Sequence, residues 1–196
     1  MGDRGYAKGR AKRAEILDAA MAVFGEVGYR AASLRAIAAR CGISHPGLLH
    51  HFPTKEALLL AVLEHRDEVA QAAIRESAAS GADELRGLVE LVAGNAARPD
   101  IVELFATLSA EAAAADHPGH AFFAHRYRQV VARLTAAFEA ARAEGALRPG
   151  VEPEPSAREL VALMDGLQIQ WLYDPHSVDM AAVVAAHLDR QLMAER

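Results

Sequence analysis

A short stretch of this 196-residue chain concentrates side chains that donate hydrogen bonds or carry positive charge. Its members are Ser33, Arg35, Ser44, His45, His50, His51 and Lys55. Hydroxyl, imidazole, guanidinium and ammonium groups bind phosphate oxygens, and imidazoles also reach the edges of bases. The types and spacing of these residues therefore predict recognition of an anionic polymer such as nucleic acid, and not bond-breaking chemistry.

Two short helices joined by a tight turn must position these donors. Ser33 is a good N-cap for a helix with Ile37 on its apolar face, and Gly42 ends that helix because glycine accepts a left-handed conformation. Ser44 caps a second short helix. Pro46 lies in the first turn of that helix, where an N–H group would have no partner within the helix, so its absence costs little. This pattern is typical of a helix-turn-helix, which places its second helix in the major groove of DNA.

The charge is divided unevenly along the chain. Residues 1–55 carry nine Lys and Arg against four Asp and Glu, a net of +5, and residues 56–196 carry twelve against twenty-two, a net of −10. A cationic N-terminal quarter on an acidic body favours a small DNA-binding domain joined to a domain that avoids phosphate. The alternative is an unstructured basic tail on an acidic bundle.

The composition limits the fold class and the compartment. Alanine is abundant, aromatic residues make up 6% of the chain, and runs of β-branched residues are missing, which favours an all-α protein. Cys41 is the single cysteine, so an internal disulfide is excluded and a reducing cytosol is expected. We find neither an apolar run long enough for a bilayer nor a secretion signal, and predict a soluble cytoplasmic protein without membrane contact.

Apolar periodicity and Gly or Pro breaks divide the chain into about nine helices. Besides the two short ones, the expected helices are 10–27, 55–79, 83–97, 99–115, 119–144, 156–173 and 177–193. We therefore predict an N-terminal three-helix helix-turn-helix domain over residues 1–55 and a C-terminal helical bundle over residues 56–196.

At this level the chain resembles the TetR family of bacterial transcription regulators, specifically over about residues 12–62. The matching positions are Ser33, Arg35, Ile37, Ala38, Gly42, Ile43, Ser44, Leu48, His50, His51, Phe52, Lys55 and Glu56. Leu49 replaces a frequent tyrosine, and Pro46 and Gly47 replace a glycine and a small polar residue. The rest of the chain matches the family in architecture.

The resemblance implies a homodimer that binds double-stranded operator DNA and a body that binds a small molecule and dimerises. Most members are repressors that leave a palindromic operator when the small molecule binds. No cofactor and no enzymatic activity are expected, since nucleophile motifs and phosphate-binding glycine loops are missing from the sequence. Two other classes stay open: a helical small-molecule sensor or carrier with a non-functional DNA-binding head, and a helical-bundle enzyme.

Each polar residue of the head receives an expected role. Phosphate contacts are assigned to Ser33, Arg35, Ser44, His51 and Lys55. Base contacts are assigned to His45 and His50, with Gly47 allowing close approach of the backbone. Arg10, Lys12 and Arg13 flank the first helix and could follow a phosphate strand, whereas Arg4 and Lys8 form either a minor-groove arm or a solvated tail. For His51 the alternative is a cover for the core, and for Arg35 a solvated surface position.

The body offers candidates for an effector pocket and a dimer interface. The pocket candidates are His65, Gln71, Phe105, Ser109, Phe122, His125, Tyr127, Met164, Gln168 and Trp171. Gln168 and Trp171 share a helix face that lines either the pocket or the dimer seam. The seam candidates are Leu160, Leu163, Leu167, Val183, Val184, His187 and Leu188, on two successive apolar helices that the family pairs with their twins.

A cluster of potential metal ligands follows the sixth helix. Asp116, His117 and His120, with His125 beyond them, carry oxygen and nitrogen ligands that zinc or nickel accepts. Their spacing matches no known metal site, so we favour solvated loop histidines and predict no metal.

Overall fold

The computed structural model describes residues 2–77 and 79–194, with side chains placed for residues 9–68 and 79–194. Within those ranges the chain forms nine helices and no named strand, which confirms the predicted all-α class. They are α1 Gly2–Ala31, α2 Leu34–Arg40, α3 His45–His51, α4 Lys55–Ser77, α5 Gly81–Ala96, α6 Pro99–Glu111, α7 His120–Ala143, α8 Pro153–Tyr173 and α9 Met180–Asp189. The chain divides into two compact units between Val69 and Ala70, inside α4. The sequence analysis predicted the boundary after residue 55, at the start of that helix.

The first unit packs α2, α3 and the first turns of α4 against α1. α1 contributes Ile16, Leu17 and Phe24 to the buried core of this unit, whereas Val27 is 52% exposed. The other large buried side chains of the unit include Ile37, Leu48, Phe52, Leu58, Leu59 and Leu63. Gly28 interrupts α1 with a φ of 76°, as expected for a glycine that ends a helix, although helical residues resume after it.

The second unit contains α5 to α9 around one apolar core. Its centre is formed by buried residues of α5, α7, α8 and α9, among them Leu85, Phe138, Leu160, Trp171 and Leu188. α8 begins at Pro153, three residues earlier than predicted, because proline is well tolerated in a first helical turn. α9 is shorter than predicted, since the residues after Asp189 leave the helix and bond to the segment before α8: Met193 N–H donates to the Ala146 carbonyl at 2.8 Å.

Candidate functional site

Local capping sets the geometry of α2, the turn and α3. The Ser33 hydroxyl accepts a hydrogen bond from Ala36 N–H at 3.1 Å, and the Ser44 hydroxyl accepts one from Gly47 N–H at 3.1 Å. Gly42 has a φ of 63°, the left-handed conformation that the sequence predicted for the turn. The two caps and the glycine together give the helix-turn-helix, because each ends or starts a helix at a fixed residue.

The outer face of α3 is the surface that can enter a groove. Leu48 is buried beneath the helix, and His50 and Pro46 are exposed on the opposite side. His45, Gly47 and His51 are half-buried at the flanks. The rings of His50 and His51 make an edge contact with centroids 5.8 Å apart. The structure therefore exposes His50 on the outer face of α3 and leaves His45, Gly47 and His51 at the flanks of that face.

The predicted phosphate-binding cations fall into two groups. Arg10 and Arg35 are exposed, and among the described residues the Arg35 side chain forms no hydrogen bond or ion pair. Lys12 is already bonded, with Nζ 2.6 Å from Glu15 Oε2 and 2.9 Å from the Cys41 carbonyl. The Arg13 guanidinium lies 5.0 Å from the centre of the Phe52 ring. Arg4 and Lys8 lie outside the residues whose side chains are described.

Lys55 has a structural role that the sequence did not reveal. Its Nζ donates to the Arg30 carbonyl at 3.0 Å and lies 4.6 Å from the centre of the Tyr29 ring. The Tyr29 hydroxyl donates to Glu56 Oε1 at 3.3 Å. Burial lowers the pKa of Lys55, and burial followed by Glu56 raises the pKa of Tyr29 to about 12. Lys55 therefore links the start of α4 to the end of α1. In the sequence, the pair Gly28-Tyr29 was the feature that could have indicated this contact.

Cys41 follows α2 as its C-cap residue and lies against Lys12 and Glu15 of α1. Its thiol donates weakly to the Glu15 carbonyl at 4.0 Å, and burial raises its pKa. The raised pKa favours the thiol form over the reactive thiolate.

In the second unit, Tyr127 of α7 has a half-buried polar partner on another helix. Its hydroxyl donates to Asp165 Oδ2 of α8 at 2.8 Å, and Ser109 of α6 also contacts that hydroxyl. Burial raises the pKa of Asp165, although the Tyr127 bond and the charge of Arg126 oppose the rise. The sequence analysis did not include Asp165 among the pocket candidates. A carboxylate within the apolar sequence of α8 was the feature that could have indicated it.

Aromatic rings adjoin this polar cluster. The Phe105 and Phe123 ring centroids lie 6.2 Å apart, and those of Phe122 and Phe123 lie 5.3 Å apart. The Arg126 guanidinium is 5.6 Å from the centre of the Phe105 ring and 5.9 Å from that of Tyr127. These contacts bring the predicted pocket residues Phe105, Phe122 and Tyr127 together with Phe123 and Arg126, which the sequence analysis did not name.

A groove of about 700 Å³ runs between α7 and α8 beside the Tyr127–Asp165 bond. Its inner lining is formed by Tyr127, Val131, Thr135, Val161 and Asp165. Charged side chains such as Arg128, Glu139 and Arg158 line its edges. A mostly apolar floor with a few polar groups at one end is the usual form of a small-molecule site.

The other pocket candidates are dispersed. His65 lies in the first unit, with Nε2 3.7 Å from Asp18 Oδ1, which corrects its assignment to a pocket of the body. Trp171 is a buried member of the core, and His125 is exposed on α7. Met164 and Gln168 are half-buried on α8. Gln71 lies outside the residues whose side chains are described.

The predicted dimer residues need a similar correction. Leu160, Leu167, Val184 and Leu188 are buried in the core of a single chain, so their apolar surface is already covered. Leu163, Val183 and His187 are half-buried. The prediction failed for the first four because periodicity reveals an apolar helix face but not which partner covers it.

The histidines after α6 are engaged with the backbone. His117 Nδ1 accepts from Gly119 N–H at 3.1 Å, and His120 Nδ1 lies 2.8 Å from the Ala112 carbonyl oxygen. Asp116 is exposed. In the part of the chain that the structure describes, no three His, Cys, Asp or Glu side chains converge on a metal position. Nor does any of its helices combine the length and apolarity needed to span a membrane.

Each of the two units is similar to known proteins. Residues 16–62 match the family model of bacterial regulatory proteins of the tetR family, and residues 81–193 match the C-terminal domain of BetI-type transcriptional repressors. The HTH-type transcriptional regulator UidR of Escherichia coli is 45% identical over 64 residues, 33% of each chain. The HTH-type transcriptional repressor KstR2 of Rhodococcus jostii is 33% identical over 121 residues, 62% of this chain and 52% of that protein.

A solved structure shares the whole architecture. GusR of Salmonella enterica superposes with a TM-score of 0.71 at 27% identity, covering 91% of this chain and 93% of that one. The sequence matches to the curated relatives are shorter, since they span about a third of UidR and about half of KstR2. Because the C-terminal family model spans more than half of the chain, the protein belongs to the TetR family of bacterial regulatory proteins, with a C-terminal domain of the BetI type.

Proposed function

We propose that the protein is a homodimeric, non-enzymatic repressor of transcription in the bacterial cytoplasm, which a small molecule releases from a palindromic operator. The observation that carries this proposal is the exposed face of α3, held by the Ser44 cap, on a unit that also exposes the cations Arg10 and Arg35. This surface lies on a domain of net positive charge in an otherwise acidic chain. Charge of this kind supplies most of the affinity for the DNA backbone, and groove contacts supply the choice of sequence.

We place the dimer interface on the outer face of α8. Ala162, Gly166, Ile169 and Tyr173 follow one another at intervals of four, three and four residues, which keeps them on one side of the helix. Ile169 is 51% exposed and Tyr173 is 89% exposed. A second copy would cover this apolar stripe, with Val183 and His187 of α9 beside it. Two-fold pairing supplies two α3 helices, and an inverted repeat whose half-sites lie one turn of DNA apart would receive them about 34 Å apart.

We place the effector in the groove between α7 and α8, at the Tyr127–Asp165 end. An apolar molecule with one polar group would fill the lining formed by Val131 and Val161 and bond to the tyrosine or the carboxylate. Release from DNA requires that the effector bind one conformation of the dimer more tightly than the DNA-binding one. α4 extends from the first unit into the second and would carry the change.

The test is selection of sequences from random duplex DNA by the full-length protein. Enrichment of an inverted repeat whose half-sites lie about one turn apart supports the proposal. A matched selection with Arg35→Ala should enrich the same repeat with lower recovery, because Arg35 is assigned to phosphate. No enrichment at low salt, from protein shown by circular dichroism to be helical, would favour the sensor or carrier whose head does not bind DNA.

A further inference from the structure

Every ionisable or hydrogen-bonding side chain of α3 is an imidazole. The helix reads His-Pro-Gly-Leu-Leu-His-His from His45 to His51. Arginine, lysine, asparagine and glutamine, the side chains that most often read base edges, do not occur in it. Whatever polar contacts the side chains of α3 make in a groove must therefore be made by histidine, the residue type that changes charge between about pH 5 and pH 8.

The groups around α3 leave these imidazoles without an acidic partner. Four carboxylates of the first unit are engaged elsewhere. They form the pairs Glu15–Lys12 at 2.6 Å, Glu26–Arg40 at 2.7 Å, Asp18–His65 at 3.7 Å and Glu56–Tyr29 at 3.3 Å. Within the described residues, no ion pair joins a carboxylate to His45, His50 or His51.

The other charged neighbours of α3 are cations. Arg35 lies on α2, Arg13 stacks on Phe52 directly after α3, and Lys55 opens α4. Phosphates close to an imidazole ring favour its protonated form, and they also screen the repulsion from these cations. The charge environment of α3 therefore changes sign when DNA binds.

We infer that α3 reads DNA in its imidazolium form: binding takes up protons at His50 and His51, and protonated His50 selects guanine. This inference rests on the proposed DNA-binding function. A neutral imidazole offers one donor and one acceptor, whereas imidazolium offers two donors. Guanine presents two acceptors in the major groove and adenine presents one acceptor and one donor, so the protonated ring favours guanine. His51, half-buried at the flank, meets phosphate.

The experiment measures proton uptake directly. The probe is the duplex that the wild-type protein enriches from random DNA at about pH 6.5, with a shuffled duplex of equal composition as the non-specific reference. Titration calorimetry in two buffers of different ionisation enthalpy gives the number of protons bound per complex. Anisotropy at constant ionic strength gives Kd, which should weaken about tenfold per pH unit for each proton taken up.

Matched variants assign the protons to residues. His50→Gln should take up about one proton fewer on the selected duplex and lose the guanine preference, whereas His51→Gln should take up about one proton fewer on both duplexes. His176→Gln, an exposed histidine in the α8–α9 connection, is the control and should behave as wild type. Imidazole resonances of the wild-type complex, followed by NMR, report the same protonation without a substitution.

Three results would overturn the inference: a Kd that is equal at about pH 6.5 and about pH 7.5, proton uptake that survives both substitutions, or equal loss in His176→Gln. Each of these presupposes that DNA binds. Failure to select any sequence at either pH would instead count against the proposed function, so the two failures are distinguishable.

Discussion

The Tyr127 hydroxyl and the Asp165 carboxylate join α7 to α8 through a 2.8 Å hydrogen bond in the second unit. Burial raises the pKa of Asp165 above its ordinary value and is the main cause that raises the pKa of Tyr127 to about 12. The native state therefore holds a proton on Asp165 more tightly than the unfolded chain does. Stability from this group is fully present below the unfolded pKa and is lost as the pH rises through the folded pKa.

Asp165→Asn should stabilise the protein at neutral pH. The amide oxygen still accepts from Tyr127, while the cost of burying a charge is removed, so the free energy of unfolding should rise by on the order of 1 kcal/mol. Urea denaturation at about pH 7 and below about pH 4 checks this, because the gain should vanish where the aspartate is protonated in both states. Tyr127→Phe is the control and should lower stability, since it leaves the carboxylate without its donor. An Asn variant less stable than wild type at neutral pH would contradict the argument.

The helix-turn-helix could be predicted because its signals are local. Ser33, Gly42 and Ser44 act within a few residues of themselves, and the structure uses each as the sequence indicated. Contacts between distant segments gave no such signal. Neither the bond of Lys55 to the Arg30 carbonyl nor that of Tyr127 to Asp165 follows from spacing, because both depend on how helices pack.

The boundaries and faces of the last helices show the same limit. Apolar periodicity marked Leu160 and Val184 as apolar positions of α8 and α9, and we assigned them to the dimer interface, whereas the core of a single chain covers them. The exposed stripe that includes Ile169 and Tyr173 also contains the small residues Ala162 and Gly166. Periodicity alone does not distinguish the positions of such small residues from positions in the core.

Gly81→Ala should destabilise the second unit. A Cβ atom there would lie 2.5 Å from the Ala137 carbonyl oxygen and 2.6 Å from the Ala141 nitrogen, so α5 and α7 would have to separate. We expect a loss of about 1–3 kcal/mol, typical of overpacking against backbone. Thermal denaturation followed by circular dichroism measures it.

Gly94→Ala is the matched control on the same helix. A Cβ at Gly94 would meet nothing within 4 Å, and alanine has the higher helix propensity, so this variant should gain up to about 1 kcal/mol. Equal melting temperatures for the Gly81 and Gly94 variants would show that the α5–α7 contact tolerates a side chain.

Arg35 and Lys55 are both assigned to phosphate, and Lys55 should in addition contribute to stability. Arg35→Ala should weaken binding to all sequences and flatten the dependence of log Kd on log salt by about one unit, with an unchanged melting temperature. Lys55→Ala should flatten the same slope by about one unit, and it should also lower the melting temperature because the bond to the Arg30 carbonyl is lost. An unchanged salt slope in the Lys55 variant would leave that residue only its structural role.

The exposed stripe of α8 should control assembly. Ile169→Glu introduces a charge where we place the partner's helix, so the variant should sediment as a monomer while the wild type sediments as a dimer. Its helicity should be unchanged, since half of the Ile169 side chain is exposed in the single chain. Met193→Glu, at another exposed apolar residue of the same unit, is the control and should remain dimeric. The monomer should also lose most affinity for an inverted repeat, because only one α3 helix then meets the DNA. A dimeric Ile169 variant would place the interface on a different face of the second unit.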